Sequence, residues 1–161
     1  RYLHGQVELE MALPRGFQVL SEAEVWLDTG SPHYVQQVAE AIEAVEVVAR
    51  GRTIRESEAY TAIGGTNVNF VQPAGPDRLR VRTYERGVEN ETLSCGTGVT
   101  DCAYAHLRAH PDASQPKRVV TVETPGGELS VRFEAANTEQ PRLWLCGPAE
   151  HVFDGSINLP D

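Results

Sequence analysis

The sequence predicts an α+β fold in which a strand-rich sheet lies on one central helix. Three observations carry this. Several stretches alternate apolar and polar residues with the period of a strand. One stretch, Thr97 to Ala109, repeats Val99, Cys102, Ala103, His106 and Leu107 at the period of a helix. Glycine and proline punctuate the junctions between these stretches.

Taken in order, Gln6 to Leu13 alternates Val7, Leu9 and Met11 against polar neighbours and reads as a half-buried strand ended by Pro14-Arg15-Gly16. Val25-Trp26-Leu27 is a short strand that stops in the loop Asp28-Thr29-Gly30-Ser31-Pro32, and His33-Tyr34-Val35 resumes it. From Val38 to Arg55 the period becomes helical, with Gly51 expected to interrupt or cap the helix and a turn expected near Glu43–Glu46. Gly64-Gly65 is a break. Val68, Phe70 and Gln72 then face one way and Asn67 and Asn69 the other. Pro73 to Asp77 reads as a hairpin loop, and Leu79 to Tyr84 alternates again. After the central helix, closed by His110-Pro111, strands are expected near Arg118–Glu123 and Glu128–Phe133, joined through Pro125-Gly126-Gly127. Leu143–Cys146 and His151–Phe153 complete the strand pattern.

The 161 residues are read as one domain, or one large part of a protein, long enough to bury a core without staples. A formal net charge of −9 argues against a nucleic-acid partner, because nothing would neutralise phosphates. The cysteines Cys95, Cys102 and Cys146 are odd in number and lack zinc-knuckle spacing, which favours free thiols in a reducing, cytoplasmic setting. No apolar run reaches membrane-spanning length, and the opening residues do not read as a signal peptide. The first residue is Arg1 rather than Met, so the start is read as a cut or processed edge.

Candidate chemistry centres on Ser94-Cys95-Gly96-Thr97-Gly98, where the central helix begins. A helix start carries unpaired N–H groups and favours negative charge. A cysteine there can have its pKa drawn below the free value, and the N–H groups can cradle a carboxylate. The same residues also fit a buried, unreactive cysteine. Cys102 and Cys146 read as packing. Arg86 can grip a carboxylate through paired hydrogen bonds and Glu85 can orient it or accept from an ammonium, although a Glu-Arg dipeptide is equally a solvated ion pair. Glu89 and Glu91 read as solvated. His33 suits proton shuttling or a structural role, and Asn67 and Asn69 suit either an amino-acid ligand or turn chemistry.

Tyr84-Glu85-Arg86-Gly87 followed by Glu91-Thr92-Leu93-Ser94-Cys95-Gly96-Thr97-Gly98 resembles the second cysteine motif of diaminopimelate epimerases. Asp28 to His33, Gly65 to Phe70, and Val152 to Ile157 resemble further signatures of that family, in the right order. The resemblance implies two pseudo-symmetric halves, each a curled antiparallel or mixed sheet wrapped around a central helix. It implies a cofactor-independent epimerase, without metal, that interconverts LL- and meso-diaminopimelate for lysine and peptidoglycan synthesis. Two cysteines face each other across the substrate; one removes the α-proton and the other returns a proton on the opposite face.

Carried over, Cys95 is the catalytic cysteine of the second half, and His33 and Glu85 modulate the thiols. Gly96 and Thr97 meet the reacting carboxylate, and Asn67, Glu85 and Arg86 hold the distal end. Ser31 stands where many members have asparagine, so a water is expected between it and the substrate. The first-half motif with the other cysteine is absent from this sequence. The chain is therefore expected to comprise a boundary strand (1–14), a C-terminal domain (15–149) with its central helix at 97–109, and a terminal strand (150–161) returning toward the first half. Its expected partners are an amino-acid substrate and an N-terminal half carrying the second cysteine, with a homodimer also allowed. Two alternatives stay open: a racemase of another amino acid on the same fold, and a non-catalytic amino-acid-binding module.

Overall fold

The computed structural model describes residues 1–3, 5–112, 114–134 and 141–158. The strands, in chain order, are β1 (Tyr2–Leu3), β2 (Gln6–Met11), β3 (Arg15–Val19), β4 (Glu24–Asp28), β5 (Pro32–Gln37), β6 (Asn67–Gly75), β7 (Arg78–Glu85), β8 (Asn90–Thr92), β9 (Lys117–Thr124), β10 (Gly127–Glu134) and β11 (Arg142–Pro148). The helices are α1 (Val47–Arg55), α2 (Glu58–Thr61) and α3 (Gly96–Ala109), with a 3₁₀ turn at Ile42–Ala44. Among the described residues the strands form one sheet ordered β1-β2-β11-β10-β9-β7-β6-β5-β4-β3, with β8 added to β7. It is mixed: β5/β6 and β7/β9 are parallel and the other pairs antiparallel. α3 touches strands from β4 through β11, so the sheet curls around it. No described helix is long and apolar enough to cross a membrane.

Alternation divides the buried residues between two faces. Toward α3 point Leu27, Val35, Val71, Leu79, Val81, Val120, Val122, Val131 and Leu143, which meet Val99, Cys102, Ala103 and Leu107 of the helix. Toward α1 point Tyr34, Val68, Phe70 and Tyr84, which meet Val38, Ile42, Val45 and Val47. β5, β6 and β7 are thus covered on both sides.

The central helix and most strands lie where the sequence places them; several details differ. Gly51 neither interrupts nor caps α1. It sits inside the helix, where an added Cβ would lie 2.4 Å from Tyr84 Cβ. The glycine costs about 1 kcal/mol of helix propensity and permits close contact with a fully buried tyrosine. β6 runs through Pro73 to Gly75, so the turn into β7 is only Pro76-Asp77. Arg15-Gly16, read as part of a strand-ending turn, instead opens an edge strand, Arg15–Val19, paired on β4. The strand expected around His151–Phe153 does not form: residues 150–158 have no regular structure and Val152, Phe153 and Ile157 are at least 80% exposed. The strand it follows, β11, already pairs with β10 and β2, so the chain cannot fold straight back onto it.

Candidate active site

The strand register brings the site together. β5 and β6 run parallel with His33 opposite Asn67, and β7 runs back so that Glu85 and Arg86 lie just beyond the Val68–Tyr84 pair. The first turn of α3 arrives at the same end of the sheet. Cys95 is its N-cap, extended at φ −124°, ψ 111°, and the Cys95 carbonyl accepts from the Val99 amide at 2.8 Å to start the helix. The preceding segment is fastened where the Gly126 amide donates to the Leu93 carbonyl at 2.7 Å.

A chain of polar contacts leads inward from the thiol. Cys95 Sγ lies 3.4 Å from Thr97 Oγ1, which lies 2.8 Å from His33 Nε2. Asn69 Nδ2 sits 3.0 Å from His33 Nδ1 and also donates to the Tyr34 carbonyl at 3.1 Å. A carbonyl only accepts, so it fixes which end of the Asn69 amide is nitrogen. That nitrogen makes Nδ1 the acceptor. The ring is then neutral with its proton on Nε2, donating to Thr97, whose hydroxyl is left to donate to Cys95. Thr83 Oγ1 closes the network by donating to Asn69 Oδ1 at 2.9 Å. Gly98 makes room for it: an added Cβ would lie 2.5 Å from Asn69 Oδ1 and 3.2 Å from His33 Cε1.

Burial sets the protonation states. His33 is wholly buried and its pKa falls to about 3, chiefly from desolvation and also from the positive charge of Arg86. The Cys95 thiol is pushed up rather than down. Its own burial dominates and the carboxylates of Glu85 and Asp101 add to it, while Thr97 and the Gly98 amide only partly oppose them. This corrects the expectation of a helix-start thiol with a lowered pKa: in this desolvated position the helix terminus does not prevail.

The other residues singled out in the sequence fall around this line. Asn67 donates from Nδ2 to Ser31 Oγ and to the Pro32 carbonyl, both at 2.9 Å, and its Oδ1 accepts from the Arg86 amide at 2.8 Å. Its amide thereby ties Ser31, Pro32 and Arg86 into one corner. Arg86 Nη2 reaches Ser31 Oγ at 3.4 Å. Glu85 Oε2 accepts from Thr92 Oγ1 at 2.8 Å and remains partly exposed. Gly96 opens the first turn, and a Cβ there would lie 3.1 Å from Leu145.

Cys102 is in the core, with its thiol pushed far up by burial. Cys146 is half-buried on β11. Glu91 is less solvated than expected, while Glu89 remains a partly exposed ion-pair residue. Glu91 takes a two-pronged pair from Arg82 at 2.6 and 2.7 Å, and Glu89 pairs with Arg55 at 2.7 Å. Glu89 also turns the chain at φ 59° and accepts from the Gly87 amide.

One residue was missed from the sequence. Asp101, inside the buried stripe of α3, is wholly buried, and its Oδ2 lies 4.0 Å from His33 Nε2. Its signal was a carboxylate next to Cys102 in an otherwise apolar stretch. A groove of about 790 Å³ lies elsewhere, between β8 and the end of β9. Its arginines are engaged within the protein, Arg82 with Glu91 and Arg80 with Glu123.

The chain's relationships agree with this geometry. A family model described as diaminopimelate epimerase matches residues 25–152. Among curated relatives, diaminopimelate epimerase of Flavobacterium psychrophilum is 43% identical over 83% of this chain and 50% of its own length. That of Aquifex aeolicus is 43% identical over 83% of this chain and 46% of its own. The chain spans about half the length of the curated relatives it matches. A Bacillus anthracis phenazine biosynthesis protein of the PhzF family has the same fold, with a TM-score of 0.66 over 89% of this chain and 57% of that chain at 10% identity. A predicted epimerase from Pseudomonas aeruginosa gives 0.51 over 81% and 39% at 16% identity.

Proposed function

The chain belongs to the diaminopimelate epimerase family, and from that premise we propose that it supplies one thiol half-site for the cofactor-independent interconversion of LL- and meso-diaminopimelate. The observation that carries this reading is the line Cys95–Thr97–His33 at the start of α3. Cys95 is the group that exchanges a proton with the α-carbon. The first-turn N–H groups of Gly96 and Thr97 receive the α-carboxylate, whose charge grows as the α-carbon loses its proton. The neutral imidazole of His33 orients the Thr97 hydroxyl toward sulfur, which helps a thiolate once formed. Glu85 and Arg86, with Asn67 and Ser31 holding the corner, face the distal amino and carboxylate groups. Binding of the substrate's ammonium group would also oppose the carboxylates that hold the thiol protonated.

Inversion without a cofactor needs an acid and a base on opposite faces of the α-carbon. Cys102 is locked in the core, so the second thiol belongs to an N-terminal half. The half-length match to the relatives and the exposed Leu93 and Phe153 support such a covering partner. On this reading the protein would serve the cytoplasmic route to lysine and peptidoglycan.

The test is to incubate the purified protein with LL-diaminopimelate in D₂O and follow both α-deuterium and configuration. Deuterium uptake without inversion, converted to inversion when a relative's N-terminal half is added, is the expected result. Full inversion by this chain alone would overturn the half-site.

A further inference from the structure

Asp101 is the strongest buried group that the proposed chemistry leaves unused. Its side chain is 0% exposed, and neither carboxylate oxygen makes a well-formed hydrogen bond, although the Thr29 hydroxyl and amide lie near enough to offset part of the cost of burial. Thr29, whose hydroxyl is also buried without a partner, is the polar group near it. An ionised carboxylate so placed would be costly. The groups facing it offer no cation. From β5 comes the neutral imidazole of His33, with Nε2 4.0 Å away; from the end of β4, the Asp28 carboxylate; from α3 itself, the thiols of Cys95 and Cys102. Glu85 adds negative charge near Cys95, and Arg86 adds positive charge near His33.

We infer that Asp101 is a positioning residue for Cys95: the two share the single negative charge that this buried end of α3 can hold, so a proton kept on Asp101 frees the thiol to ionise. The site then never carries Asp101 carboxylate and Cys95 thiolate together at ordinary pH. Loss of a proton from either raises the cost of losing one from the other, and the pair titrates in broadened, coupled steps. His33 stands between them as a fixed dipole. Its Nε2 proton points at Thr97, and Nδ1 is occupied by Asn69, so it does not supply the missing positive charge. The carboxyl tending to stay protonated agrees with this, its pKa being pushed up to about 8 by burial.

The inference deepens the reading of Cys95 as an acid/base thiol. It needs neither substrate nor second half, so its test is separate from that of the reaction. The measurement is the pH dependence of Cys95 alkylation by iodoacetamide, with the labelled peptide quantified by mass spectrometry so that Cys102 and Cys146 do not contribute. In the unaltered protein the curve should be wider than a one-proton titration. Asp101→Asn, which holds the neutral shape permanently, should narrow it to one proton and lower its midpoint by about half to one pH unit, a roughly three- to tenfold gain in rate on the acid side. Asp101→Glu should restore the broad curve. Should Asp101→Asn fail to fold, Asp101→Ala carries the same expectation, since alanine favours the helix. A purely structural role would scale the rate equally at every pH. Unaltered midpoint and width in a folded Asn or Ala variant would overturn the inference.

Discussion

The two faces of β6 are equally buried and chemically opposite. Val68 and Phe70 lie against α1 among apolar neighbours; Asn67 and Asn69, one residue apart from them, lie against α3 among hydrogen-bonding groups, and all four are 0–3% exposed. The apolar side gains free energy from burial alone, about 1.5–3 kcal/mol for a residue such as Phe70. The polar side gains little unless every donor and acceptor is paired. Asn67, Asn69, Thr83 and His33 meet that condition, and Asp101 does not. One face therefore holds the fold together, and the other holds a few side chains in one arrangement at small net gain.

Substitutions on the two faces should separate these roles. The largest effect on stability belongs to the α1 side: Phe70→Ala should cost about 3–5 kcal/mol in denaturant unfolding. Cys95→Ser should leave the unfolding midpoint nearly unchanged yet lower α-proton exchange about 100-fold or more, about 2.7 kcal/mol in barrier. If instead Cys95→Ser unfolds the protein, the functional assignment of the polar face is wrong.

Next in size is a pH effect. An unfolded aspartate loses its proton near pH ~4 whereas buried Asp101 keeps it to about 8, so this group makes stability fall as pH rises between those values. His33 acts the other way. Unfolded histidine binds a proton below about 6.5 but buried His33 only below about 3, so its contribution rises with pH over that window. The two slopes cancel from about 4 to 6.5. A net loss of about 2 kcal/mol from this pair should then appear between about 6.5 and 8 and be absent in Asp101→Asn, as read from urea midpoints across pH. A wild-type slope retained in the variant would assign it to other groups. The smallest change is Gly51→Ala, expected to destabilise by about 1 kcal/mol after its gain in helix propensity, because the new methyl group meets Tyr84.

What could be read from the sequence follows the same division. β7 and α3 were legible because Leu79, Val81 and Thr83, and Val99, Ala103 and Leu107, repeat at the spacing of the structures they form. Cys95, His33, Asn67, Glu85 and Arg86 were legible through motif order, and the register of β5, β6 and β7 brings them to one end of the sheet. Less was legible where a residue's environment is made by distant chain. Gly51 looked like a helix breaker because its partner, Tyr84, lies on another element. The direction of the Cys95 shift depends on burial beneath the sheet and on Asp101, neither visible in a helix-start pattern. Val152, Phe153 and Ile157 have the composition of a strand, but composition does not name a pairing partner, and residues 150–158 join none of the described strands.

The most direct measurement of the central claim is covalent trapping at sulfur. The protein, joined by a relative's N-terminal half, would be treated in turn with the two epimers of an aziridine analogue of diaminopimelate, and its cysteine peptides weighed. One epimer should add a single label at Cys95, none at Cys102 or Cys146, and free diaminopimelate should protect against it. Binding of diaminopimelate with Cys95 left unlabelled by either epimer would contradict the assignment of this thiol to the α-carbon.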